Sequence, residues 1–166
     1  MSIWQRYLKR RDLRLFRRVQ GDNIANLLSA VDDEVGRMLK GDLCLKDDLA
    51  RSPSFHCYCI GVLDAITSLY ERETRRRFGL ELYRVALADY FRERFVLARA
   101  DAEALFFAAA NACEANPALL KDGYADGLLV LRGAIRIDRL RAHFATPKPA
   151  NDEEIGFDAA VAAAAM

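Results

Sequence analysis

The chain has 166 residues, 52% of them hydrophobic, and a formal net charge of +1. This length suits one domain that buries roughly two-thirds of the surface exposed in its unfolded chain, so neither metal nor disulfide is needed to hold a core. The composition excludes general disorder. We expect no secretory signal and no transmembrane segment, because no apolar run of about eighteen residues occurs.

The near-zero net charge hides an uneven distribution. The first twenty residues contain seven Lys or Arg side chains and one acid, so the remainder of the chain is net acidic. This split predicts either an anionic partner or a contact between the basic segment and the acidic body of the same chain. Six of the seven would lie opposite the apolar residues of a helix, and we call them the basic N-terminal face; they are Arg6, Lys9, Arg10, Arg14, Arg17 and Arg18.

Apolar residues recur at helical spacing in six segments. These segments span residues 3–19, 23–40, 54–77, 80–95, 101–114 and 117–144. We expect Gly21 to end the first helix and Asp22 to cap the second, with a polar connector at 42–53 that holds one helical turn near Asp47. The third helix is apolar nearly all round in its first half, which indicates a central position.

The expected fold is therefore all-α, an irregular bundle of five to six helices in a single domain of residues 1–145. Residues 146–166 form a linker bracketed by Pro147 and Pro149, followed by an Ala-rich flexible tail. Two alternatives stay open at this stage. The sixth helix is either continuous or broken near Gly123, and residues 128–131 are either helix or a short strand. We favour helix because no partner strand is evident.

The cysteines and histidines do not match a metal or catalytic pattern. Four of them lie close together in the sequence: Cys44, His56, Cys57 and Cys59. Cys57 and Cys59 would lie about 200° apart on a helix, so they cannot ligate one tetrahedral zinc ion. No nucleophile elbow or phosphate-binding loop occurs either. We expect no metal, no cofactor and no catalytic residue, with reduced cysteines and a cytoplasmic location.

One pattern in the sixth segment favours an anion or partner site. Arg132, Arg136, Arg139 and His143 would form a narrow basic stripe between two apolar rows, and Tyr124 is a further candidate on the same helix. Arginine forks suit carboxylate or phosphate. The stripe either lines a cleft or is an ordinary solvated face, and the solvated face is the more common arrangement.

These observations favour a non-enzymatic protein-interaction module, such as an adaptor, a chaperone-like protein or a partner-neutralising protein. The expected partner is another protein or a second copy of the chain in a homodimer. The first alternative is a regulator that binds nucleic acid, another polyanion or an anionic membrane surface through the basic N-terminal face. The second is a small-anion-binding protein or enzyme with an Arg-lined cleft.

Overall fold

The computed structural model describes the backbone of residues 3–40, 43–74 and 81–144, and the side chains of residues 21–40, 45–69 and 83–144. Within these ranges the chain forms seven helices and no strand, which confirms the predicted all-α class. They are α1 (Ile3–Met38), α2 (Leu43–Arg51), α3 (Pro53–Thr74), α4 (Glu81–Phe95), α5 (Arg99–Ala115), α6 (Pro117–Leu131) and α7 (Arg139–Phe144). The predicted tail at 146–166 lies outside the described residues.

Helix α3 occupies the centre of the bundle, as its apolar first half predicted, and α6 packs directly on it. Glycines allow the two backbones to touch. A Cβ at Gly61 would overlap the carbonyl oxygen of Leu120, and one at Gly123 would overlap the carbonyl oxygen of Tyr58. Gly127 meets the backbone of α3 in the same way. Gly123 therefore does not break α6; it sets the distance between α3 and α6.

Helix α1 is continuous, so the predicted break at Gly21 is wrong. Glycine costs about 1 kcal/mol in a helix interior, which is too little to end a helix that no proline interrupts. The second half of α1 holds the helix on the body, because Leu27, Val31 and Val35 are fully buried. This burial confirms the apolar stripe predicted there, although Leu28 beside it is only partly buried.

The continuity of α1 also excludes one predicted contact. The basic segment was expected to pair with acids such as those at 32–34, but both now belong to one helix, which cannot fold back on itself. Asp32 instead forms an ion pair with Arg94 of α4. Glu34 is buried and forms ion pairs with Arg37 and Arg141.

The predicted helix 117–144 ends early because Gly133 terminates α6. Gly133 has a φ of +96°, and its amide donates to the carbonyl of Val130 at 2.9 Å. The amide of Ala134 donates to the carbonyl of Leu129 at 2.9 Å. This pair of bonds is a Schellman motif with glycine at the C′ position. Residues 128–131 are helical, and α7 begins only at Arg139.

The other helix bounds lie close to those predicted, with one addition. Residues 42–53 were expected to hold a single turn, but α2 extends over nine residues there. Its Leu49 and Ala50 are buried, which gives this short helix an anchor in the core. Helix α5 starts at Arg99, so Asp101 lies in its first turn instead of capping it.

An unusual backbone conformation occurs just after α4. Val96 has a φ of +59° and is 81% exposed. A β-branched residue is unfavourable in this left-handed region, where glycine or asparagine is common. We expect Val96→Asn to raise the free energy of unfolding by about 1 kcal/mol, because strain is relieved and no packing is lost. Urea denaturation followed by circular dichroism measures this change, and a less stable variant would contradict the explanation.

Candidate functional site

A buried carboxylate joins α3, α6 and the start of α7. Asp126 is 0% exposed. It accepts a hydrogen bond from Tyr58 Oη at 2.5 Å and one from the backbone amide of Arg139 at 3.1 Å. The Arg139 guanidinium adds an ion pair at 2.5 Å. A buried charge with this many partners is stabilised, and the loss of any one partner would leave it poorly compensated.

The basic side chains of α7 each face an acid on another helix. Arg139 binds Asp126, as described above, and His143 Nε2 lies 2.9 Å from Asp122 Oδ2 of α6. Arg141 Nε donates to Glu34 of α1 at 3.2 Å. We call this set of contacts the α7 clasp. It fastens a six-residue helix, too short to be stable alone, onto α1 and α6.

The two groups that bind Asp126 through their side chains, Tyr58 and Arg139, are poorly suited to proton transfer. Burial and the hydrogen bond to Asp126 raise the pKa of Tyr58 far above neutrality, so its hydroxyl stays protonated. The hydrogen bond to Asp126 raises the pKa of Arg139. Both groups therefore keep a fixed protonation state at neutral pH, Tyr58 as the neutral phenol and Arg139 as the cation. The arrangement fits a structural role better than general acid or base catalysis, which needs a pKa near the working pH.

A different surface lies in the turn between α6 and α7. Ile135 is 86% exposed there, and Leu129 at the end of α6 is 41% exposed. The backbone amide of Ala134, next to Ile135, donates a hydrogen bond to the carbonyl of Leu129 and so ties the turn to the last turn of α6. Arg132 and Arg136 are exposed in the same segment, and neither forms an ion pair within the described part of the chain. We call this group the turn surface; it consists of Leu129, Arg132, Ile135 and Arg136.

The predicted basic stripe is thus divided into two parts. The stripe was predicted on one continuous helix over residues 117–144, and that prediction is wrong. Arg132 is the C-cap of α6, and Arg136 lies between α6 and α7. Arg139 and His143 belong to the α7 clasp, where each already contacts an acid of α6. Arg132 and Arg136 form no ion pair with any other residue whose side chain the structure describes. Tyr124 is half-buried on α6, and its backbone nitrogen lies beside Gly61.

The basic N-terminal face cannot be placed at the level of side chains. Its six residues, Arg6, Lys9, Arg10, Arg14, Arg17 and Arg18, lie in the first half of α1. Their side chains are outside the described residues, so their role stays a prediction.

A buried histidine lies between α3 and α4. His56 is 0% exposed, and its ring is 3.5 Å from the ring of Phe91 between centroids. Neither ring nitrogen has a hydrogen-bond partner among the described residues. Burial lowers the pKa of His56 to about 3, so the ring is neutral at physiological pH. No exposed face remains through which it could act on a substrate.

The cysteines differ from the prediction of reduced thiols. Cys57 of α3 and Cys113 of α5 form a disulfide, with their Cα atoms 5.5 Å apart. Cys59 is free and buried, and burial raises the pKa of its thiol. Among the described residues, no group of three or more His, Cys, Asp or Glu side chains is arranged to hold a metal ion.

Sequence reasoning missed the partners in the α7 clasp. Asp122 and Asp126 are four residues apart on α6, so they lie on one helix face. Arg139 and His143 have the same spacing, and the match between the two pairs is a signal that could have been used. The contact to Tyr58 could not have been found in this way, because 68 residues separate Tyr58 from Asp126.

Comparisons with known proteins add no family. No family model, curated protein or solved structure matches the chain at a significant level. None of the helices in the described ranges combines the length and the apolar character required to cross a membrane.

Proposed function

We propose that this protein is a non-enzymatic helical module that binds another protein through the turn surface. One observation carries the proposal: Ile135, 86% exposed, lies in the turn after α6 together with two arginines that have no ion pair within the described ranges, and the partly exposed Leu129 lies in the last turn of α6. Apolar residues beside arginine are typical of binding hot spots. An adaptor, a chaperone-like protein and a partner-neutralising protein all fit this description.

The geometry gives less support to the Arg-lined cleft. Two of its four basic residues, Arg139 and His143, are bound to acids of α6. An incoming anion would have to displace those carboxylates, one of which is fully buried. A cytoplasmic location also stays a proposal, and the disulfide between Cys57 and Cys113 is more typical of an oxidising compartment.

The alternative of polyanion binding is supported only by the charge of the basic N-terminal face. Residues 3–20 are helical, so the basic segment would present its cations on a regular helix. Affinity for duplex DNA through this segment should fall steeply with salt, by about 0.9 log units per log unit of salt for each phosphate neutralised. The turn surface should not affect this affinity, which separates the two functions.

Crosslinking from the turn tests the proposed function. We expect a photoreactive amino acid at position 135 to crosslink to a discrete protein in the cells that make this chain. The same amino acid at position 96 is the matched control, because Val96 is equally exposed but lies beside arginines that are already paired. The captured protein, once identified and purified, should bind the parent chain in titration calorimetry. Equal capture from both positions would contradict the proposal.

A further inference from the structure

The turn surface combines exposed apolar side chains with arginines that form no ion pair within the described residues. Single exposed apolar residues are common on proteins and need no explanation. Here, however, Ile135 and Leu129 occur in one turn with Arg132 and Arg136, whose charges are not balanced by an ion pair in the described part of the chain. A ligand that pairs with both arginines and covers both apolar side chains must offer carboxylates and apolar groups within a short distance of each other.

The chain itself contains a segment with this chemistry. Residues 152–158 read Asp-Glu-Glu-Ile-Gly-Phe-Asp, with four acids and two large apolar residues, Ile155 and Phe157. Residues 149–166 contain no Lys, Arg or His, so the acids of this segment have no basic neighbour within that stretch. We call residues 152–158 the acidic segment.

The direction of α7 determines how far the acidic segment must reach. Arg139 contacts Asp126 and His143 contacts Asp122, so α7 runs back along α6, away from the turn surface. From Asp122 to Leu129 is seven residues, or about 10 Å along a helix. Ile155 follows Phe144 by eleven positions, and an extended chain over eleven Cα–Cα steps spans up to roughly 36 Å. The stretch between Phe144 and the acidic segment is therefore long enough for the chain to change direction after α7 and reach the turn surface.

We propose that the acidic segment binds the turn surface of its own chain and competes with the partner protein. The carboxylates of residues 152–154 pair with Arg132 and Arg136, and Ile155 or Phe157 covers Ile135. This inference rests on the proposed function, since it names what occupies the same surface before the partner arrives. A short linker gives a local concentration on the order of millimolar, so a weak contact is populated and yet displaceable.

Crosslinking within the purified full-length chain tests this contact. With p-benzoylphenylalanine at position 135, irradiation at low protein concentration should yield an internal crosslink that mass spectrometry maps to residues 152–158. Its yield should not depend on protein concentration and should fall with added salt. Position 96 again serves as the control and should give no such product. No crosslink to the acidic segment, or a covalent dimer whose yield grows with concentration, would overturn the proposal.

Partner affinity supplies a second readout. Reversing the charges of the acidic segment, with Asp152→Lys, Glu153→Lys and Glu154→Lys together, should raise the affinity for the purified partner several-fold, because competition is removed. Unchanged or lower affinity would count against the proposal. If the internal crosslink is missing while Ile135→Asp still weakens partner binding, only the acidic-segment proposal fails. If the crosslink forms but Ile135→Asp leaves partner affinity unchanged, the proposed function fails instead.

Discussion

Replacing Gly123 by Ala should lower the free energy of unfolding by about 3 kcal/mol or more. An added Cβ would overlap the carbonyl oxygen of Tyr58, which is backbone and cannot rotate away. Helices α3 and α6 would have to move apart, and the packing between the two central helices would be lost. Because small domains are stable by only about 5–15 kcal/mol, a loss of this size is readily measured by urea denaturation.

Gly21→Ala is the matched control for this substitution. Gly21 also lies within a helix, but a Cβ there would meet nothing within 4 Å. Alanine has the higher helix propensity, so this variant should be more stable than the parent by up to about 1 kcal/mol. The same chemical change thus has opposite signs at the two positions. Stabilisation by Gly123→Ala would mean that α3 and α6 are not in backbone contact.

Acid should destabilise the protein through His56. An unfolded histidine binds a proton near pH 6.5, whereas burial lowers the pKa of His56 to about 3 in the folded state. Between these values the unfolded state binds more protons, so stability falls as the pH falls from about 6.5 towards 3. We expect a loss of about 2 kcal/mol from pH 8 to pH 5 because of this residue.

The variant His56→Leu isolates that contribution. Leucine does not titrate, and it replaces two ring nitrogens that have no hydrogen-bond partner among the described residues. The variant should be at least as stable as the parent at pH 8, because a buried unsatisfied polar group is removed. Urea denaturation of both proteins between pH 8 and pH 5 should give curves that diverge as the pH falls. Parallel curves would show that His56 is solvated or protonated in the folded protein.

Much of the fold could be predicted because apolar residues recur at helical spacing within each helix. The apolar stripe of α1, with Leu27, Val31 and Val35, repeats at helical spacing and is buried as expected. The predicted start of the sixth segment, residue 117, is also where α6 begins. The ends of helices were less predictable, since glycine occurs both inside helices and at their C-terminal ends. Gly21 lies inside a helix and Gly133 ends one.

The candidate site depended on contacts between distant parts of the chain. The basic stripe was predicted from residue spacing alone. Which of its side chains form ion pairs depends on two acids of α6, Asp126 and Asp122. That division depends on where α6 ends, and so on the positive φ of Gly133. Sequence periodicity continued through this point and predicted one long helix. The exposure of Ile135 could not be predicted for the same reason.

The affinity of the identified partner for two surface variants tests the proposed function most directly. Ile135→Asp places a carboxylate at the centre of the turn surface, and Val96→Asp makes the same change at an equally exposed valine elsewhere. Truncation or reversal of a hot-spot residue typically costs 2 kcal/mol or more, which is roughly a thirtyfold rise in Kd. We predict a rise of at least this size for Ile135→Asp and an unchanged Kd for Val96→Asp. Equal Kd values for both variants and the parent would contradict the assignment of the turn surface as the binding site.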